Sequence, residues 1–199
     1  MRRILAWICV VGGFLWGIKP VYDALFNGRR MNTGYVPSDP TDYISFVFPL
    51  LCTAGLVALY ARYGHKIKNS VILLIVSVWL SGCYHFFEIY YYGSGLPFGF
   101  IFLFTSILCM IVGALYLFIQ LRKVGDAGRL LSWAAILLFI DNLLLLASGF
   151  LSELLPETLL NACMFILMIA IGFIWAVLGW GVLQVSPKNT GDMSLAKRA

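Results

Sequence analysis

Charged side chains are scarce in this chain: 12% of its residues are Asp, Glu, Lys or Arg, whereas 61% are hydrophobic and the mean hydropathy is +0.91. Soluble domains average about 25% charged and about 45–50% apolar residues. So few charges do not cover the surface of a water-soluble globule of 199 residues. The composition therefore excludes an ordinary soluble domain and predicts an integral membrane protein, whose apolar surface is solvated by lipid tails.

The sequence also lacks the motifs of several well-known chemistries. It contains no phosphate-binding loop, no nucleophile elbow and no H-E-x-x-H zinc motif. One of its two histidines, His65, lies in a loop, so the chain does not supply the paired membrane histidines that ligate haem. None of the five cysteines forms a C-x-x-C, and we expect five free thiols. We predict no cofactor and no metal, with the H-x-x-E pair His85 and Glu88 as the alternative metal site.

Six apolar segments are long enough to cross a bilayer, which takes about 20 residues of helix. They are Ile4 to Phe26, Tyr43 to Tyr63, Val71 to Tyr92, Phe98 to Leu121, Leu130 to Leu151 and Leu159 to Val185. The sequence therefore predicts an all-α, polytopic bundle of six transmembrane helices. Residues 1–185 form its single transmembrane domain, and residues 186–199 form a short polar tail in the cytoplasm. Because the connections are short, we expect consecutive helices to be antiparallel neighbours.

The basic residues fix the orientation of this bundle. On one side lie Arg2, Arg3, Arg62, Lys66, Lys68, Arg122, Lys123, Arg129, Lys188, Lys197 and Arg198, and on the other lie Arg29 and Arg30. Cytoplasmic loops carry the excess of Lys and Arg, so we predict that both termini are cytoplasmic and that the protein resides in a bacterial plasma membrane. These short basic clusters between apolar runs explain the net charge of +5 without nucleic-acid binding.

Small residues recur four positions apart within the predicted helices. The pairs are Gly13 and Gly17, Ala54 and Ala58, and Gly172 and Ala176. Such pairs let the backbones of membrane helices approach closely. We expect them at helix–helix contacts.

Ionisable residues inside membrane helices are costly, and they are therefore functional candidates. The candidates are Lys19, Asp23, His85, Glu88 and Asp141, with Asn142 as a neighbouring amide. Counted along the helices, Lys19 and His85 lie at nearly the same height, Asp23 and Glu88 about one turn further out, and Asp141 about one turn further in. Neutral polar residues on helices four and six can complete the lining: Thr105, Ser106 and Asn161.

This cluster has two main interpretations. In the first, it is a polar pocket that opens outward and serves the transport or binding of a small ligand, with the carboxylates of Glu88 or Asp141 and the imidazole of His85 carrying protons. In the second, Lys19 neutralises Asp23 or Asp141, and the protein is a non-catalytic accessory or structural subunit. An intramembrane enzyme using Glu88, His85 and Asp141 is a third hypothesis. The expected partners are the lipid bilayer and either another membrane protein or further copies of the chain.

Overall fold

The computed structural model describes residues 1–26, 40–90, 98–124, 128–151 and 154–184, without the side chains of Glu88 and Phe98. Its six helices are α1 (Arg2–Phe26), α2 (Val47–Tyr63), α3 (Lys68–Tyr90), α4 (Phe98–Val124), α5 (Arg129–Phe150) and α6 (Glu157–Gln184). Two short 3₁₀ turns, Asp42–Ile44 and Gly64–Ile67, flank α2. No strand occurs in the described ranges, so the predicted all-α class is confirmed. The predicted tail, 186–199, lies outside them.

The predicted count of six membrane-spanning helices is not matched, because five helical stretches are long and apolar enough to cross a membrane. They are Arg2–Phe26, Asp42–Phe87, Gly99–Val124, Arg129–Phe150 and Glu157–Gln184. The difference arises at the second stretch, which has 46 residues and contains α2 and most of α3. Within it the chain turns at Gly64, whose φ of 58° lies in the left-handed region that glycine adopts without strain. Counted alone, α2 has only 17 residues, which is about the shortest span of a bilayer.

The helices form a closed ring in chain order. Each packs against the next, and α1 closes the ring by packing against α6. Helices α2 and α3 are antiparallel: the ring of Phe46, just before the start of α2, lies 5.5 Å from the ring of Phe86, near the end of α3. We call the end that carries Arg2, Arg62, Arg122 and Arg129 the basic end, and the other the opposite end.

Glycine permits the closest helix contact, between α1 and α6. A Cβ atom at Gly13 would lie 2.5 Å from the backbone nitrogen of Ala176 and 2.6 Å from the carbonyl oxygen of Gly172. A Cβ atom at Gly172 would meet the backbone of Gly17. Two of the predicted small-residue pairs therefore face each other across one interface, as expected for close membrane helices.

The outside of the ring is apolar. In the five stretches only 28–39% of the most hydrophobic window is buried inside the protein. Large exposed side chains include Trp7, Val11, Phe14, Trp79 and Trp133. Water-soluble monomers rarely expose apolar surface on this scale, so the periphery fits a multi-pass membrane protein.

Candidate functional site

The first polar group is a set of three charges near the opposite end, which we call the ionic triad: Lys19, Asp23 and Asp42. The ammonium of Lys19 lies 2.5 Å from Asp23 Oδ1 and 2.7 Å from Asp42 Oδ1. The side chain of Asp42 is fully buried, and those of Lys19 and Asp23 are 11% and 15% exposed. The triad thus joins α1 to the 3₁₀ turn before α2, and it agrees with the predicted pairing of Lys19 with Asp23.

Asp42 is the residue that the sequence reasoning missed. It comes just before the second apolar segment, Tyr43 to Tyr63. In the structure its backbone begins the 3₁₀ turn Asp42–Ile44, where its carbonyl accepts a hydrogen bond from Ser45 Oγ at 2.8 Å. The sequence offers one signal, the balance of charges. Lys19 is the one lysine far from any predicted loop, so its ammonium needs carboxylate partners inside the protein. A buried ammonium attracts every carboxylate within reach.

The second polar group surrounds a cavity inside the ring. Its volume of about 20 Å³ is room for about one water molecule. The polar lining consists of Ser81, Tyr84 and His85 of α3, Ser106 of α4 and Asn142 of α5, joined by Trp16 of α1. Apolar side chains of α4, α5 and α6 complete the wall. Five of the six helices therefore meet at this point, and they bring predicted residues His85 and Asn142 together.

Asp141, the residue before Asn142 on α5, does not line the cavity. The residue is 5% exposed, and no described group forms a hydrogen bond with its Oδ2 atom. The amide of the next residue, Asn142, donates to the carbonyl of Leu138 at 2.9 Å. Asp141 is seven residues from Ser148, so both occupy one face of α5, on which Ser148 Oγ contacts Met164 Sδ of α6 at 2.9 Å.

A row of polar side chains on α3, formed by Ser77, Ser81 and His85, faces α4 and the cavity. Ser77 Oγ donates to the carbonyl of Ser106 at 2.8 Å, and Ser106 Oγ donates to the carbonyl of Ser77 at 2.9 Å. These reciprocal bonds hold this row of side chains against α4 at the cavity, because Ser106 also lines the cavity. Thr105, the neighbour of Ser106, is exposed on the outside of the ring, so its predicted place in the lining is wrong. The side chain of Glu88 lies outside the described part.

An apolar layer separates the cavity from the basic end. Each of its members is fully buried and lies one or two turns from a lining residue towards that end: Leu74, Leu117, Leu138, Trp175 and Leu178. A layer of this kind excludes water from that side. The cavity is therefore closed towards the basic end.

The two groups differ in what they can do chemically. The ionic triad neutralises its own ammonium and connects two helices. The cavity offers hydroxyl, amide and imidazole groups to a guest. Among the described side chains, no three His, Cys, Asp or Glu residues are placed to hold a metal ion. Comparisons of the chain with protein-family models, with curated proteins and with solved structures gave no match.

Proposed function

We propose that the chain is a multi-pass protein of a bacterial plasma membrane that binds and transports a small polar solute through the cavity at His85 and Asn142. Six spans with both termini in the cytoplasm are part of this proposal. Support for six comes from α2 and α3, which pack side by side in opposite directions. Support for the orientation comes from the basic end, because Lys and Arg concentrate in cytoplasmic loops.

The observation that carries the proposal is a polar cavity at the centre of an apolar ring. Buried polar groups in a membrane protein are expensive, so they persist where they hold the bundle together or contact a guest. The side chains of Ser81, His85 and Asn142 come from helices far apart in the sequence and converge on one space. The apolar layer closes this space towards the basic end, as in a transporter that excludes water from one side.

The volume of the cavity limits the guest. Sites for drug-sized ligands measure about 300–1,000 Å³, whereas this cavity of about 20 Å³ accepts a guest the size of water. A larger solute requires the helices to separate. We therefore expect a solute of one or two heavy atoms.

Access to the cavity is tested by labelling engineered cysteines. Asn142→Cys places a thiol in the lining, and the matched control Leu138→Cys places one on the same face of α5, one turn into the apolar layer. The background protein replaces the partly exposed cysteines, Cys83, Cys109 and Cys163. We expect a small methanethiosulfonate reagent, added outside intact cells, to modify Asn142→Cys and to spare Leu138→Cys. Equal labelling of the two variants, or labelling of neither, refutes a water-accessible cavity.

The orientation has its own test. A reporter enzyme that is active only in the periplasm is fused after residue 30, after residue 125 or after residue 199. We expect activity from the first fusion alone. Activity of the C-terminal fusion would refute the proposed topology.

The ionic triad favours a second candidate, a non-catalytic accessory subunit. The contact of Lys19 with Asp42 ties α1 to the 3₁₀ turn before α2, which is a structural role. If Asn142→Cys is not labelled and the chain is purified in a fixed ratio with one other membrane protein, this second function replaces the first.

A further inference from the structure

Two rows of exposed apolar side chains run along the outside of α3 and α4. Their members are 37–55% exposed: Ile72, Val76 and Trp79 on α3, and Val112, Leu115 and Ile119 on α4. Spacings of three and four residues keep each row on one face of its helix. Apolar surface that is exposed in this way marks the part of a membrane protein that meets lipid tails.

Each row ends on a lysine at the basic end. Lys68 comes four residues before Ile72, and Lys123 comes four residues after Ile119, so both continue the face of their row. Both residues are exposed, and we call them the lysine pair. A cation that directly follows a lipid-facing apolar row lies at the level of the lipid headgroups.

Helices α3 and α4 are held together at this end. Ser70 Oγ donates to Gln120 Oε1 at 2.7 Å, and the 3₁₀ turn Gly64–Ile67 also packs against α4. The Cα–Cβ bonds of a helix tilt towards its N-terminus. Lys68, at the start of α3, therefore leans away from the membrane, whereas Lys123, at the end of α4, leans back towards it. These opposite directions bring the two ammonium groups towards the same depth.

The surroundings of the lysine pair are strongly positive. Lys66 and Arg122, which lie within two residues of the pair, are exposed as well. The one acidic residue within ten positions of either lysine is Asp126, which lies outside the described residues. Four cations and one carboxylate give a net charge of +3 (4 − 1). This surface therefore attracts anions.

We propose that the lysine pair binds the phosphate of an anionic phospholipid, whose acyl chains lie along the two apolar rows. A free phosphate ion contacts the lysines alone, whereas a phospholipid also covers the rows. Phosphatidylcholine carries the same phosphate but no net charge, so a positive surface attracts it less. Each basic residue near an anionic lipid surface strengthens binding by about fivefold. The lysine pair is separate from the cavity and does not depend on its guest.

The test measures the thermal stability of the full-length chain in a neutral detergent. Phosphatidylglycerol is compared with phosphatidylcholine of the same acyl chains and with inorganic phosphate. At a tenfold excess over Kd, we expect phosphatidylglycerol to raise Tm by about 3–6 °C and the other two to change it little. The double variant Lys68→Gln with Lys123→Gln should lose most of this rise. The matched control, Arg62→Gln with Lys66→Gln, removes two charges from the same end but not from the rows, and it should keep most of the rise.

Other outcomes overturn the inference. Equal Tm values with the two lipids mean that the charge of the headgroup is not selected, and an equal rise with inorganic phosphate means that the site takes a soluble anion. An equal loss in both double variants indicates diffuse attraction to the basic end, and a rise that survives in Lys68→Gln with Lys123→Gln places the lipid elsewhere. If that variant does not fold, native mass spectrometry of the wild type decides. Retention of one phosphatidylglycerol per chain in preference to phosphatidylcholine supports the site, and equal retention contradicts it.

Discussion

Replacing Gly172 by alanine should separate α1 from α6, although alanine is the better helix former by about 0.5–1 kcal/mol. The new methyl group would lie 2.7 Å from the carbonyl oxygen of Gly13 and would meet the backbone of Gly17. Overpacking typically costs about 1–3 kcal/mol, and here the atoms in the way are backbone, which does not rotate aside. We therefore expect a net loss of about 1–2 kcal/mol in the free energy of unfolding.

The matched control is Gly149→Ala in α5. A Cβ atom there has no neighbour within 4 Å, so the variant should keep the wild-type stability or gain up to about 1 kcal/mol. Unfolding is driven by a denaturing detergent in mixed micelles and followed by tryptophan fluorescence, since Trp16 and Trp175 are both buried. Equal stability of Gly172→Ala and Gly149→Ala would refute the close contact of α1 with α6.

Two further predictions concern polar contacts between helices. Lys19→Met removes the ammonium that contacts the buried carboxylate of Asp42, and it should lower the free energy of unfolding by about 3–5 kcal/mol. A second change, Asp42→Asn, should restore most of this stability. The same unfolding assay checks both variants, and a double variant no more stable than Lys19→Met would contradict the pairing. Ser77→Ala and Ser106→Ala should each lower the free energy of unfolding by about 0.5–1.5 kcal/mol. Because the two serines exchange hydrogen bonds, a double-mutant cycle should show that the two losses are coupled. Additive losses would contradict that exchange.

Hydrophobicity and spacing were sufficient to predict the helices. Predicted and observed ends agree within a few residues, since each helix is set by a long apolar run. The exceptions lie around α2, which begins at Val47 rather than Tyr43. There Asp42 draws the chain into a 3₁₀ turn and a salt bridge to Lys19. Hydropathy does not register a contact between residues 23 positions apart, so this boundary required tertiary structure.

The candidate residues were identifiable by their cost in a membrane, but their grouping was not. Height along the helices placed Lys19, His85 and Asp141 close together, whereas rotation about each helix axis decides which of them meet. Lys19 turns to Asp23 and Asp42, and His85 reaches the cavity that Asn142 also lines. Rotation follows from the packing of whole helices, of which the Gly13 and Gly172 contact is one determinant.

The separation of the two polar groups makes stability and binding independently measurable. The ionic triad holds α1 against the start of α2, and its members do not line the cavity. The double variant Lys19→Met with Asp42→Asn removes this link and leaves the cavity lining unchanged. We expect it to unfold more easily than the wild type. When Asn142→Cys is added to the double variant, we expect the thiol still to be labelled from outside the cell. If instead the labelling is lost together with the triad, the triad and the cavity act as one site, and the division between a structural and a binding group fails.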